Sequence, residues 1–85
     1  MPSPAFIKAS EGVRELTSKP SNDDLLKLYG LFKQATLGDN ETTEPTFDLK
    51  ARFKWMAWAD LQGMIPVEAE TQYIALVQEL KAKHQ

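Results

Sequence analysis

The sequence predicts an all-α protein, a four-helix bundle with one long crossover loop between helices 2 and 3. Three observations lead there. Apolar residues recur at helical spacing in four separate stretches. Each stretch is bounded by capping or helix-breaking residues. One connection, residues 39–48, is long and polar, as a crossover between helices running in the same direction requires. The 85 residues are read as one domain, with helices at about 4–16, 21–37, 49–62 and 66–83.

The first helix opens at Ser3-Pro4, a serine that can cap and a proline at the tolerated first position. Phe6, Ala9, Val13 and Leu16 form its apolar stripe, with Ile7 and Arg14 on a neighbouring face. Gly12 costs roughly 1 kcal/mol in a helix interior relative to alanine and is read as a tolerated weakness rather than a close approach. Pro20 disfavours helical dihedrals at Lys19 and closes the helix.

The second helix begins with Ser21 as N-cap, and Asn22, Asp23 and Asp24 complement its positive dipole end. Leu25, Leu28, Phe32, Ala35 and Thr36 fall on one face, with Tyr29 at its edge and Lys33 one turn later. Gly38 supplies the stop. The crossover, DNETTEPTFD, carries four acids and no base, and Phe47 is expected to pin it to the body.

Asp48 caps the third helix. Leu49, Phe53 and Met56 make a stripe, and Trp55, Trp58 and Leu61 spread apolar surface around the cylinder, so this helix is expected to be heavily buried or to face a ligand. Lys50, Arg52 and Lys54 cluster at its start. The fourth helix begins at Pro66 without a good N-cap after Met64-Ile65. Ala69, Tyr73, Leu76, Val77 and Leu80 form its stripe, Glu68, Thr71, Gln72, Ala75, Gln78 and Glu79 lie opposite, and Lys81 and Lys83 suit its C-terminal dipole.

Composition narrows the function. The chain is 42% hydrophobic and 26% charged, the balance of a globular protein. It has no cysteine, which excludes disulfides and thiolate chemistry and fits a reducing cytoplasm. No apolar run approaches a membrane span, and the N-terminus lacks a signal-peptide pattern. A net charge of −2 argues against nucleic acid as a partner. An enzyme would need a nucleophile, base or metal set, and the only histidine, His84, sits in the terminal turn, so no catalytic residue, metal or cofactor is expected.

The candidate chemistry is anion binding beside apolar surface. Tyr29 and Lys33 come from helix 2, Lys50, Arg52 and Lys54 from helix 3, Arg14 from helix 1 and Tyr73 from helix 4. The run Pro-Ser-x-Asp followed by Leu-Tyr-Gly-x-Phe-Lys-Gln-Ala-Thr-x-Gly, residues 20–38, closely resembles the signature of acyl-coenzyme A-binding proteins, and the resemblance extends from Phe6 to Lys83. It implies that the scattered residues converge. By that resemblance Tyr29, Lys33 and Lys54 meet the 3′-phosphate of the ligand, Phe32 and Tyr73 flank the adenine, and Arg14 belongs to the same site. Lys50 and Arg52 are weaker candidates for the pyrophosphate. Leu25, Leu26 and Met56 could line an acyl groove, although core packing is the simpler reading, preferred for Met56. Trp55 and Trp58 are read as structural.

The chain departs from the family pattern in four places. Phe32 replaces a frequent tyrosine, the crossover is one residue shorter, Phe53 fills a position that is often small, and Met64-Ile65-Pro66 replaces a more polar start of the last helix. The resemblance implies non-covalent binding, buffering and intracellular transport of medium- to long-chain acyl-CoA esters, by a cytoplasmic monomer that meets acyl-CoA-using enzymes transiently and can touch membranes. After an enzyme, a helical protein-interaction module is the second rival, supported by the apolar third helix and the Met64-Ile65 turn. A free fatty-acid carrier would have no use for a phosphate subsite at Lys33 and Lys54.

Overall fold

The computed structural model describes residues 2–84. It contains α1 (Pro4–Gly12), a short 3₁₀ turn (Val13–Glu15), α2 (Asn22–Leu37), α3 (Leu49–Ala59) and α4 (Pro66–Lys83), with no strand among the described residues. The caps form as the sequence dictates. Phe6 N–H donates to Ser3 Oγ at 3.2 Å, Asp24 N–H to Ser21 Oγ at 3.1 Å and Ala51 N–H to Asp48 Oδ1 at 3.1 Å. Only α4 starts without a side-chain cap, at Ile65. Gly38 ends α2 with φ of 81° and Gly63 turns the chain between α3 and α4 with φ of 91°, backbone that a side chain would strain.

Contacts along the helices give their directions. Ser3 meets Glu70 and Thr17 meets His84, so α1 and α4 run parallel. Tyr29 meets Lys54 and Gly38 meets Trp58, so α2 and α3 also run parallel, as the long crossover allows. Phe32 meets Tyr73 whereas Gln34 meets Met64, so α2 is antiparallel to α4.

The core lies between α1, α2 and α4: Phe6, Ala9, Leu28, Leu31, Ala35, Ala69, Tyr73, Val77 and Leu80. The stripes expected on α1 and α4 are the buried ones. On α2 the buried face is Leu28, Leu31, Gln34 and Ala35, rotated from the expected one, while Phe32 and Thr36 are exposed. Gln34, fully buried, donates from its amide to Asp39 Oδ1 (2.9 Å) and to the Met64 carbonyl (2.8 Å), which ties the end of α2 to the α3–α4 turn.

The helix ends also differ from expectation. α1 passes into the 3₁₀ turn at Gly12 rather than continuing to Leu16. A Cβ on Gly12 would sit 2.8 Å from Lys81 Nζ, so this glycine does accommodate a neighbour, contrary to its reading as a mere weakness. That neighbour is the far end of a flexible side chain and could move aside. α3 ends at Ala59, not Gln62, because residues 58–64 close with i→i+3 bonds and Gly63 N–H is taken by Asp39 Oδ1 at 2.8 Å.

The largest correction concerns α3. Its substantial packing is with α2 alone. Leu49, Phe53 and Met56 are 62%, 50% and 44% exposed, so the expected stripe faces water and Met56 is not core. Phe47 is completely exposed and does not pin the crossover. Polar groups do that instead. Trp58 Nε1 donates to the Gly38 carbonyl (2.8 Å), Trp55 Nε1 to that of Thr42 (3.1 Å) and Asn40 Nδ2 to that of Trp55 (3.2 Å).

Candidate ligand-binding site

Tyr29, Phe32 and Lys33 share one face of α2 through their i, i+3, i+4 spacing. Each wing of that face carries a different chemistry. Toward α3, Lys54 Nζ lies 4.6 Å from the Tyr29 ring centroid and Lys33 Nζ 5.7 Å from it. Lys33 Nζ is also 5.6 Å from the Trp58 ring. Two ammonium groups thus share one phenol, within cation–π reach. Neither forms an ion pair among the described residues. Beside them is a cleft of about 560 Å³, lined by Tyr29, Lys33, Lys50, Lys54, Trp55 and Trp58, by Asp48 and Ala51, and by Thr42, Thr43 and Pro45 of the crossover.

Toward α1 and α4 the chemistry is aromatic. Phe32 stacks on Phe6 with centroids 5.5 Å apart and an interplanar angle of 26°, and lies 6.1 Å from Tyr73. Phe32 is 39% exposed and can offer a face to a ligand. Tyr73 is buried and leaves little of its ring to a ligand. Burial pushes its phenol pKa up, and the nearby positive charge of Arg14 opposes that rise, which places Arg14 beside this wing. α2 therefore joins a cationic cleft to an aromatic shelf.

Four of the weaker sequence candidates, Arg52, Met56, Leu25 and Leu26, do not line the cleft. Arg52 turns outward and is held by Glu44 at 2.9 Å, so its charge is already matched. Met56 sits about 200° around α3 from Lys54 and lies outside the cleft lining. Leu25 packs half-buried against the core. Leu26 is half-buried and Lys50 lines the cleft. Both tryptophans hold the structure, as expected, but they also line the cleft. The crossover wall of Thr42, Thr43 and Pro45 is not legible in the sequence, because nothing in an irregular loop's spacing reveals which helix it folds against.

Asp39 ties the start of the crossover to the end of α2 and to the α3–α4 turn. The Gly63 N–H, and secondly the Gln34 amide, hold its carboxyl below the ordinary aspartate value. A depressed carboxyl keeps its stabilising effect above its unfolded pKa and loses it as pH falls through the folded one, so the tether is intact near neutrality.

Comparison with known proteins decides the family. The family model described as "Acyl CoA binding protein" matches residues 3–77. The chain belongs to the acyl-CoA-binding protein family. It is 51% identical to acyl-CoA-binding protein 2 of Saccharomyces pastorianus over 85 residues, covering 99% of this chain and 98% of the relative. The crystal structure of acyl-CoA-binding protein 2 from Oryza sativa superposes with a TM-score of 0.88 at 41% identity, covering 93% of this chain and 89% of that one. The solution structure of the yeast acyl coenzyme A-binding protein does so with a TM-score of 0.77 at 49% identity, covering 96% of each chain. As an acyl-CoA-binding protein family member the chain has the family's four-helix, all-α fold. No described helix is long and apolar enough to cross a membrane.

Proposed function

We propose that the chain binds medium- to long-chain acyl-CoA esters non-covalently, as one unit of 85 residues, and thereby buffers and carries them. The observation that carries this reading is the pair Lys33 and Lys54 over one tyrosine ring, two cations without ion-pair partners among the described residues that both line one cleft. Such a pair gains most from a dianionic phosphate, to which charge-assisted bonds are strong. The 3′-phosphate would sit between Tyr29, Lys33 and Lys54, with Lys50 toward the pyrophosphate. The adenine would lie on the exposed face of Phe32 against the edge of Tyr73, near Arg14.

The acyl chain supplies the second part of the affinity. Burial contributes about 0.8 kcal/mol per methylene, on the order of 10 kcal/mol at most for sixteen carbons. Leu25 and Leu26, both half-buried on α2, are the side chains we assign to its cover. The mechanism is sequestration rather than catalysis. A cytoplasmic monomer that hands the ester to acyl-CoA-using enzymes, with transient membrane contact, fits this reading.

Calorimetric titration with palmitoyl-CoA, coenzyme A and palmitate at one low salt concentration tests it. The expected result is tight one-to-one binding of the ester and far weaker binding of either half. No heat from the ester overturns the reading.

A further inference from the structure

The Met64-Ile65-Pro66 turn has no part in the cleft, yet it exposes apolar surface. At this end of the bundle α2 and α3 stop and α4 begins, drawn together by the Gln34–Met64 and Asp39–Gly63 bonds. Three aliphatic side chains face water there: Leu37 (64% exposed), Ile65 (63%) and Val67 (70%). Acidic residues predominate around them. Residues 33–41 and 59–72 carry Asp39, Glu41, Asp60, Glu68 and Glu70 and one basic residue, Lys33, which lies one turn before Leu37 with its ammonium group 5.6 Å from the Trp58 ring. Ser3 meets Glu70, and a Cβ on Gly12 would meet Lys81, which puts Lys8 of α1 level with the middle of α4, away from the patch.

We infer that this end is a docking surface for a partner protein that presents a basic amphipathic segment. An apolar centre with an acidic rim complements a helix whose apolar face is bordered by lysine or arginine. A second copy of the chain fits badly, since two acidic rims would face each other. An anionic bilayer is repelled for the same reason. Three side chains cover only a few hundred Å², which suits a transient contact rather than a permanent one. The surface leaves the cleft open, so a docked partner could meet a loaded carrier. Docking at this end is independent of what the cleft binds.

The test uses the full chain, ¹⁵N-labelled, and two synthetic helical peptides with the same leucine pattern, one flanked by lysine and the other by glutamate. The lysine peptide is expected to shift the amides of residues 37–39, 63–65, 67 and 68, more weakly at high salt, and the glutamate peptide is expected to leave them unmoved. Ile65→Ser with Val67→Ser is expected to weaken the lysine peptide roughly fivefold or more. Folding is controlled within that variant, because a serine at the first of these positions supplies the missing N-cap and the melting temperature should hold or rise. Its palmitoyl-CoA titration should match the parent chain. Shifts mapping elsewhere, equal binding of both peptides, or unchanged affinity in the double variant overturn the inference. So does burial of Leu37, Ile65 and Val67 by self-association or by anionic vesicles, since the occupant would then be a different one.

Discussion

α3 carries a larger share of apolar residues than α4, yet the two are held in the bundle by different forces. Along α4, Ala69, Tyr73, Val77 and Leu80 are all buried against α1 and α2, and the polar positions face water. Along α3 only Trp58 is buried, and Leu49, Phe53 and Met56 point outward. What fastens α3 is a set of hydrogen bonds from two indoles and the crossover, together with the close approach of α2 at Gly30. A Cβ on Gly30 would lie 2.5 Å from the Ala57 carbonyl oxygen. One helix is anchored by burial and the other is tethered by polar groups, and the tethered one forms a wall of the cleft. A core helix has no room for a ligand along its buried face, whereas a helix packed on a single neighbour leaves its flank open.

Substitutions can break this contrast, and the largest effect is expected in the core. Leu80→Ala should cost about 2–5 kcal/mol in urea unfolding, because Leu80 is wholly buried and its site cannot collapse freely. A loss well below that would mean that α4 is not the anchored helix. Gly30→Ala comes next. Overpacking of about 1–3 kcal/mol outweighs the ~1 kcal/mol that alanine gains in helix propensity. The obstacle is backbone, so α3 must shift, and palmitoyl-CoA affinity should fall more than stability does. Equal stability and affinity to the parent chain would show that the α2–α3 approach is looser. Phe53→Ser and Met56→Ser should each change stability by no more than about 0.5 kcal/mol, as surface substitutions do. A loss of several kcal/mol in either would return the outer stripe of α3 to the core.

Much of this is legible in the sequence, because caps and apolar periodicity act locally. Ser3, Ser21, Asp48, Gly38 and Pro66 place the helices, and the stripes of α1 and α4 name their core faces. The length of the crossover gives the parallel pairing of α2 and α3. The differences arise where tertiary contacts override pattern. Phe32 and Phe47 are apolar, which predicts packing, although one stands at the edge of the shelf and the other in water. Gln34 is polar and gives no sign of burial, since its place depends on acceptors at Asp39 and Met64. Gly30, between buried Leu28 and Leu31, holds a readable hint, because a glycine inside a helix often marks a close approach. At the site, Tyr29, Lys33 and Lys54 come together as the resemblance implies. Arg52 and Met56 do not join them, one being neutralised by Glu44 and the other turned away on the helix.

The cation pair is the centre of this account, and calorimetric titration of palmitoyl-CoA into the parent chain, Lys33→Ala and Lys54→Ala tests it most directly. Each variant is expected to melt as the parent does and to bind about 1–3 kcal/mol more weakly. Unchanged affinity in both would contradict the account and place the phosphate elsewhere.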